Sequence, residues 1–160
     1  MFTGPEIAVT LTELAFTHVV WIPDSATGPW EAALDAAPGL RLIRVCREGE
    51  AWPLAAGLHL GGKTPLIVMQ TTGLFESGDA LRNVLFDLLL PLYSLIGIRN
   101  GTVVDSRDSA KTFAEPIVGA WGIDYLWLRS HGDLPAFCEH VLRCRQAGRF
   151  GAALLAEGPP

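Results

Sequence analysis

Six short apolar runs, separated by segments of helical length, most constrain how this 160-residue chain can fold. The runs span residues 17–23, 40–46, 65–70, 93–99, 124–129 and 151–157. Each is four to eight residues long in its apolar part and shows little alternation of polar and apolar side chains, which is typical of strands buried on both faces. The sequence therefore predicts six strands of a sheet that is covered on both sides.

Helical patterning fills the segments around these strands. Helices are predicted at about residues 5–16, 29–37, 50–60, 77–90, 109–121 and 134–147, with Gly or Pro at the breaks. Strands that alternate with helices form crossover units, which place helices on both faces of a mostly parallel sheet. We therefore predict an α/β fold of three layers, with a mostly parallel six-stranded sheet, in a single domain over residues 1–160.

The composition limits the kinds of molecule that this protein could bind. Hydrophobic residues make up 49% of the chain and charged residues 18%, which is more apolar than a small monomer needs and indicates a surface that contacts another protein. A net charge of −5 disfavours nucleic-acid binding. The uncharged runs are shorter than the roughly 20 residues of a membrane span, and the N-terminal segment lacks a signal-peptide pattern. We expect a soluble cytoplasmic protein without a membrane segment.

The predicted topology indicates where a ligand would bind. In an open parallel sheet, the ligand crevice lies beyond the carboxyl ends of the strands. The segments that leave the first four strands contain small, polar and charged residues: PDSATG, REGE, TTGLFESG and RNG. These four segments should lie side by side, and their shared edge is the candidate site.

Residues 57–64, GLHLGGKT, match the phosphate-binding pattern GxxxxGK[ST] letter by letter. That loop needs a strand before it and a helix after it, so that backbone N–H groups and a helix N-terminus face the phosphates. Here a predicted helix precedes the motif and a strand follows Thr64. The pattern therefore indicates a helix-to-strand turn, and Lys63 is not expected to bind nucleotide.

Two acids, Glu48 and Glu50, follow the second strand, and no further Asp, Glu, Lys or Arg occurs before Lys63. One interpretation is structural, because acids in a first turn stabilise the positive end of a helix dipole. The other is functional. A helix without a charged face is expected to be buried all round, in part against another chain, and a glutamate at its dry end would favour the protonated form and suit proton transfer.

The residues in this region resemble a known family. Glu48, the small residues that follow it, and Gly57 nine positions later are similar to the glutamate helix in the pyrimidine-binding domain of thiamine diphosphate enzymes. The similarity is closest to phosphonopyruvate and sulfopyruvate decarboxylases, through the segments WIPDSATGPW, GGKTPLIVMQTTGLFESGDALRN and IGIRNG. It covers about residues 17–101 in order and spacing.

The resemblance implies a fold and a chemistry. It implies the thiamine diphosphate-binding fold of the pyrimidine-binding (PYR) type, with Glu48 as the catalytic residue that hydrogen-bonds the aminopyrimidine and so helps to remove the thiazolium carbon proton. It implies that Thr72, Gly73 and Phe75 line the cofactor, Phe75 standing where the family has glycine. Family spacing favours Glu48 over Glu50.

The resemblance also implies a partner. Enzymes of this family hold the diphosphate through Mg²⁺ with a GDG-to-Asn element, which this sequence lacks. We therefore expect the diphosphate-binding (PP-type) domain, with its magnesium site, on a separate chain, in a heterotetramer or larger heteromeric complex. The implied protein is a lyase subunit that decarboxylates a small 2-oxo acid; the alternative is a non-catalytic relative that serves as an assembly or regulatory module.

Two further residues have open interpretations. Ser25 falls where related decarboxylases place a substrate-contacting side chain, although PDS is also typical of a turn that caps a helix. Arg99 is suited to bind a substrate carboxylate, although an arginine at a strand end is often a solvated surface charge. The three cysteines and four histidines show no metal-ligand spacing, so no metal ligands are predicted in this chain.

Overall fold

The computed structural model describes residues 2–159 and contains one six-stranded sheet in which every pairing is parallel. The strand order is β2-β1-β3-β4-β6-β5. The strands are β1 (His18–Trp21), β2 (Arg41–Arg44), β3 (Pro65–Gln70), β4 (Tyr93–Ile98), β5 (Asp124–Leu128) and β6 (Gly151–Ala156). β2 lies on one side of β1, and β3 with the remaining strands lies on the other. The order in which strands are added therefore switches between β1 and β3, which is the point where open α/β sheets bind ligands.

Helices cover both faces of the sheet. They are α1 (Gly4–Glu13), α2 (Glu31–Ala36), α3 (Glu48–Leu60), α4 (Thr71–Glu76), α5 (Gly78–Arg82), α6 (Ser109–Ala120) and α7 (Leu134–Gln146). The buried side chains form two apolar clusters, one on each face, to which α1, α2 and α7 contribute on one side and α3, α5 and α6 on the other. The predicted three-layer architecture is confirmed, and the sheet is wholly parallel.

The prediction that all six strands are buried on both faces is wrong for β2 and β5. β3, β4 and β6 are buried almost throughout. In contrast, Arg41 and Arg44 at the ends of β2 are exposed and most of β5 is only partly buried. These two strands lie at the sheet edges, where a strand has a neighbour on one side only.

The segment after β3 also differs from its prediction. TTGLFE lies outside the predicted helices, but Thr71–Glu76 forms α4 directly after the strand. The helix predicted at 77–90 is shorter, because α5 ends at Arg82 and a π-helical turn spans Asn83–Asp87. A glycine such as Gly73 is typical of a loop, whereas here it allows close packing inside a helix.

The helix α3 presents two different faces. Its inner face packs on the sheet through Ala51, Trp52, Ala55 and Ala56, all at most 4% exposed. Its outer face is apolar and open to solvent, with Pro53 and Gly57 exposed and Leu60 71% exposed. The prediction that α3 is buried all round is therefore wrong for this chain by itself. Among the described residues, none belongs to a helix long and apolar enough to cross a membrane.

Candidate functional site

The carboxyl ends of β2, β1, β3 and β4 lie in that order along one edge of the sheet. The four segments predicted to form the site leave these strands, so they are neighbours as expected. Adjacent strands are about 4.8 Å apart, which places segments from three or four strands within reach of one small ligand. We call this the carboxyl edge.

The structure gives different contacts to the two glutamates, of which family spacing favoured Glu48. Oε2 of Glu50 accepts hydrogen bonds from the backbone N–H groups of Cys46 (3.1 Å) and Arg47 (3.3 Å). These contacts close the first turn of α3, so Glu50 has the capping role that the structural interpretation required. Glu48 makes no such contact. Its carboxylate has no hydrogen-bond partner within residues 2–159, and its side chain is half-buried.

Glu48 lies against the helix α4. A Cβ atom added to Gly73 would overlap Cγ of Glu48 and stand 2.7 Å from Oε1 and 2.8 Å from Cδ. Gly73 itself is buried. The missing side chain at Gly73 therefore lets Glu48 reach the carboxyl edge between α3 and α4.

Glu76, at the end of α4, fixes how the two helices meet. Its Oε2 accepts a hydrogen bond from the N–H of Gly49 (2.9 Å), and its Oε1 pairs with Nη2 of Arg47 (2.5 Å). These contacts hold the pKa of Glu76 below its usual range, chiefly through the Arg47 bond. Glu76 thus ties the start of α3, where Glu48 stands, to α4.

The other predicted cofactor residues lie on the same short helix. Thr72 is exposed, and Phe75 is 37% exposed, at the surface of α4. The neighbouring Thr71 is fully buried, and its hydroxyl donates to the carbonyl of Gly97 in β4 (2.9 Å). This bond anchors the first residue of α4 to the sheet.

Ser25 lies just beyond β1 with its side chain exposed. The turn itself is made by its neighbour Asp24, whose Oδ1 accepts from the N–H groups of Ala26 and Thr27, each at 2.7 Å. The turn that the sequence offered as an alternative for PDS is therefore made by Asp24, and it caps no helix, because neither the turn of 3-10 helix nor α2 that follows has a side-chain cap. Ser25 remains a predicted substrate contact.

Arg99 follows β4 and forms a bidentate pair with Asp108, at 2.7 Å from Nε to Oδ2 and 3.2 Å from Nη2 to Oδ1. Asp108 also caps α6 through the N–H of Ala110 (2.9 Å). The Arg99 hydrogen bond is the main reason that the pKa of Asp108 is far below its usual range. Because this pair is already formed, a substrate carboxylate bound by Arg99 would have to share the guanidinium with Asp108.

One residue of the carboxyl edge escaped the sequence reasoning. Glu157 follows β6, the neighbour of β4, and is only 3% exposed. Its Oε2 accepts from Nε2 of Gln70 at the end of β3 (3.1 Å). The sequence signal was a lone acid at the end of an apolar strand, but the adjacency of β6 and β4 could not be read from chain order.

A second polar cluster lies at the opposite edge of the sheet. His140 is hydrogen-bonded through Nδ1 to the hydroxyl of Tyr93 (2.5 Å) and through Nε2 to Oδ1 of Asp124 (3.1 Å). Together with Cys144, these side chains bring three potential metal-ligating atoms within 4.8 Å. However, Sγ of Cys144 is 3.9 and 3.8 Å from the two ring nitrogens. Because both ring nitrogens of His140 are engaged by Tyr93 and Asp124, the cluster is a largely buried hydrogen-bond network.

The GLHLGGKT motif forms the turn that its context predicted. Gly62 adopts a positive φ of 76°, and the N–H of Lys63 donates to the carbonyl of Leu58 (2.9 Å), so the motif ends α3 before β3 begins. We expect that ATP with Mg²⁺ does not raise the melting temperature of the protein, and that Lys63→Ala does not change this. A melting-temperature increase with ATP that Lys63→Ala removes would contradict this interpretation.

Comparison with solved structures defines the class of fold. The chain superposes on benzoylformate decarboxylase from Polynucleobacter necessarius with a TM-score of 0.74 at 18% identity, covering 98% of this chain and 30% of that one. The fold therefore matches that of a thiamine diphosphate enzyme, with three layers around a parallel sheet, as predicted.

Sequence comparison is more specific. The chain is 37% identical over 82 residues to the sulfopyruvate decarboxylase subunit alpha of Methanothermobacter thermautotrophicus, covering 51% of this chain and 45% of that one. It is 31% identical over 91 residues to the phosphonopyruvate decarboxylase of Streptomyces viridochromogenes, covering 57% and 23%. No protein-family model matches the chain. The chain thus spans less than half the length of these relatives, and the predicted resemblance to them is confirmed over about half of its own length.

Proposed function

We propose that this chain is a subunit of a thiamine diphosphate-dependent decarboxylase acting on a small 2-oxo acid of the sulfopyruvate or phosphonopyruvate type, and that Glu48 is its catalytic residue. The single observation that supports this proposal is the position of Glu48 at the carboxyl edge, where it is half-buried against Gly73. No side chain or N–H group among the described residues hydrogen-bonds its carboxylate. Its neighbour Glu50 is engaged in capping. The relatives named for decarboxylation support the reaction type.

We propose that the residues around Glu48 contact an aminopyrimidine ring. Gly73 makes room for the Glu48 side chain, and the exposed Thr72 and Phe75 lie on the same helix. We assign to Glu48 a hydrogen bond to a ring nitrogen, through which it holds or exchanges one proton. When bound, thiamine diphosphate supplies the electron sink for the carbanion that decarboxylation leaves. Ser25 and Arg99 are the proposed substrate contacts.

A partner chain completes the proposed site. Among residues 2–159, the one group of three potential metal-ligating side chains is the buried network at the opposite edge, so we assign Mg²⁺ and the diphosphate to a PP-type subunit. The relative named subunit alpha supports a heteromeric assembly, which we propose to be a heterotetramer or larger. The open apolar face of α3 is the surface suited to this contact.

The direct test is reconstitution. Co-expression with a chain that carries the GDG-to-Asn element should give a complex that releases CO₂ from sulfopyruvate or phosphonopyruvate when thiamine diphosphate and Mg²⁺ are present, while the isolated chain should be inactive. A complex that assembles but releases no CO₂ from any 2-oxo acid tested would favour the non-catalytic alternative. Tight stoichiometric cofactor binding by an isolated monomer would contradict the two-chain arrangement.

A pair of matched variants tests the α3 surface. Gly57 lies on the open face of α3 and Gly119 on α6; both are exposed, and an added Cβ meets nothing within 4 Å at either position. Glutamate favours helix over glycine by several tenths of a kcal/mol, so both variants should fold. Gly57→Glu should reduce complex formation at least about tenfold, because it buries an unpaired charge, whereas Gly119→Glu should not. Equal assembly of the two variants, measured by analytical ultracentrifugation, would exclude this face as the interface.

A further inference from the structure

Two carboxyl groups meet at the carboxyl edge beneath the turn that carries Ser25. Asp24 comes from the end of β1 and Glu157 from the end of β6. Each has one buried oxygen, Oδ2 of Asp24 and Oε1 of Glu157, that lacks a hydrogen-bond partner among residues 2–159. Buried polar atoms are rarely left unpaired, because a buried group without a partner has lost its hydrogen bonds to water and gained none in return.

Gly97 in β4 shows that these two oxygens face the same point. A Cβ atom added to Gly97 would overlap Oε1 of Glu157, stand 2.8 Å from its Cδ, and lie 3.5 Å from Oδ2 of Asp24. The absence of a side chain at Gly97 is therefore what allows Glu157 to extend toward Asp24. Two ionised carboxylates so close together repel each other, whereas one proton between them would pair both oxygens.

The remaining contacts decide which group carries that proton. Oδ1 of Asp24 accepts from two N–H groups and from the hydroxyl of Thr27 (3.1 Å), and donors of this kind favour the ionised form. Glu157 has one donor, the amide of Gln70, and is 97% buried. The proton therefore belongs on Glu157.

We propose that Glu157 in its protonated form donates a hydrogen bond to Oδ2 of Asp24, and thereby acts as a positioning residue for the turn at residues 24–27 that presents Ser25. The hydrogen bond follows from the geometry at Gly97. Its consequence for substrate binding rests on the function proposed for Ser25.

The titration of Glu157 agrees with this arrangement. Burial raises the pKa of Glu157 to about 7, and the negative charge of Asp24 adds to the effect. The opposing influences are the Gln70 hydrogen bond and the positive charge of Arg99, which is itself paired with Asp108. Because the pKa in the folded protein lies above the ordinary value of 4.5, this stabilisation is complete below about pH 4.5 and is lost as the pH rises through about 7.

Amide hydrogen exchange of the full chain, followed by NMR, tests the bond. The protection factors of the Ala26 and Thr27 amides, corrected for intrinsic exchange, should fall about tenfold or more between about pH 5 and pH 8. The amide of Ser130, which donates to Asp133 at 2.8 Å in another turn, serves as an internal control and should not follow this change. Glu157→Gln keeps a neutral donor at the same place, so it should remove the pH dependence at Ala26 and Thr27.

Two more variants sharpen the test. Glu139→Gln makes the same substitution on the exposed surface of α7 and should behave as the wild type. Gly97→Ala should displace Glu157 and give low protection at Ala26 and Thr27 at every pH; if it fails to fold, the Glu157→Gln comparison decides. Equal pH dependence in the wild type and Glu157→Gln, or none in the wild type, would overturn the proposal.

The reconstituted complex separates this proposal from the role of Ser25. If Ser25 contacts substrate, KM should rise with pH in the wild type more than in Glu157→Gln, with a smaller effect on kcat. If the exchange result holds and KM does not respond, the hydrogen bond stands and the substrate role of Ser25 is wrong.

Discussion

Replacing Glu48 with glutamine should leave folding and assembly unchanged and reduce decarboxylation by about 10²–10⁴-fold, the usual contribution of general acid–base catalysis. An amide occupies nearly the same volume but cannot take up or release the proton that the proposed role requires. The measurements are CO₂ release by the reconstituted complex and exchange of the thiazolium proton of the bound cofactor into deuterated water.

Glu50→Gln is the matched control, because it makes the same chemical change two residues away. A glutamine oxygen can still accept from the N–H groups of Cys46 and Arg47, so the cap of α3 survives and activity should change by less than about tenfold. If Glu48→Gln exchanged the thiazolium proton at the wild-type rate, or if Glu50→Gln were the more damaging change, Glu48 would not be the catalytic residue.

Gly73→Ala should reduce activity by about 10²-fold although the reacting side chain is still present. The new Cβ would overlap Cγ of Glu48, so the carboxyl group must move, and a displacement of about 1 Å at a catalytic group can have an effect of this size. Alanine favours helix over glycine by about 1 kcal/mol, which offsets part of the steric cost in α4. We therefore expect a large loss of activity with only a small change in melting temperature.

Gly78→Ala provides the comparison for this variant. Its added Cβ would meet only the Trp121 ring, at an ordinary contact distance of 3.7 Å from Cη2. Activity near the wild-type level is expected there. Wild-type kcat in Gly73→Ala would show that the packing of Glu48 against α4 does not matter for catalysis.

The local pattern of the chain was sufficient to predict the architecture. Apolar runs separated by segments of helical length leave few ways to bury most of the strands, and connections of that length favour crossover units, so a parallel sheet with two helical layers follows. The carboxyl edge as the site, and the Gly57–Thr64 motif as a turn, follow from the same order of elements. Both predictions depend only on the order of neighbouring segments along the chain, which can be read directly from the sequence.

Side-chain roles at the carboxyl edge depended on contacts between distant residues. Glu48 and Glu50 have equivalent places in the pattern, and only the fold shows that one caps α3 while the other lies against Gly73. The sequence does not show why residue 73 is glycine, because a glycine that a turn requires and a glycine that makes room for a neighbouring side chain are the same letter.

The sequence by itself thus determined the class of fold and the sheet edge at which we propose the site, because both follow from the periodicity of burial along the chain. The tertiary structure alone decided which acid is free and which is engaged. Asp24 and Glu157 stand 133 positions apart in the chain, yet the strand order brings them to the same glycine of β4. The ionisation of a carboxyl group depends on such neighbours and on its burial, and neither exists until the sheet has formed.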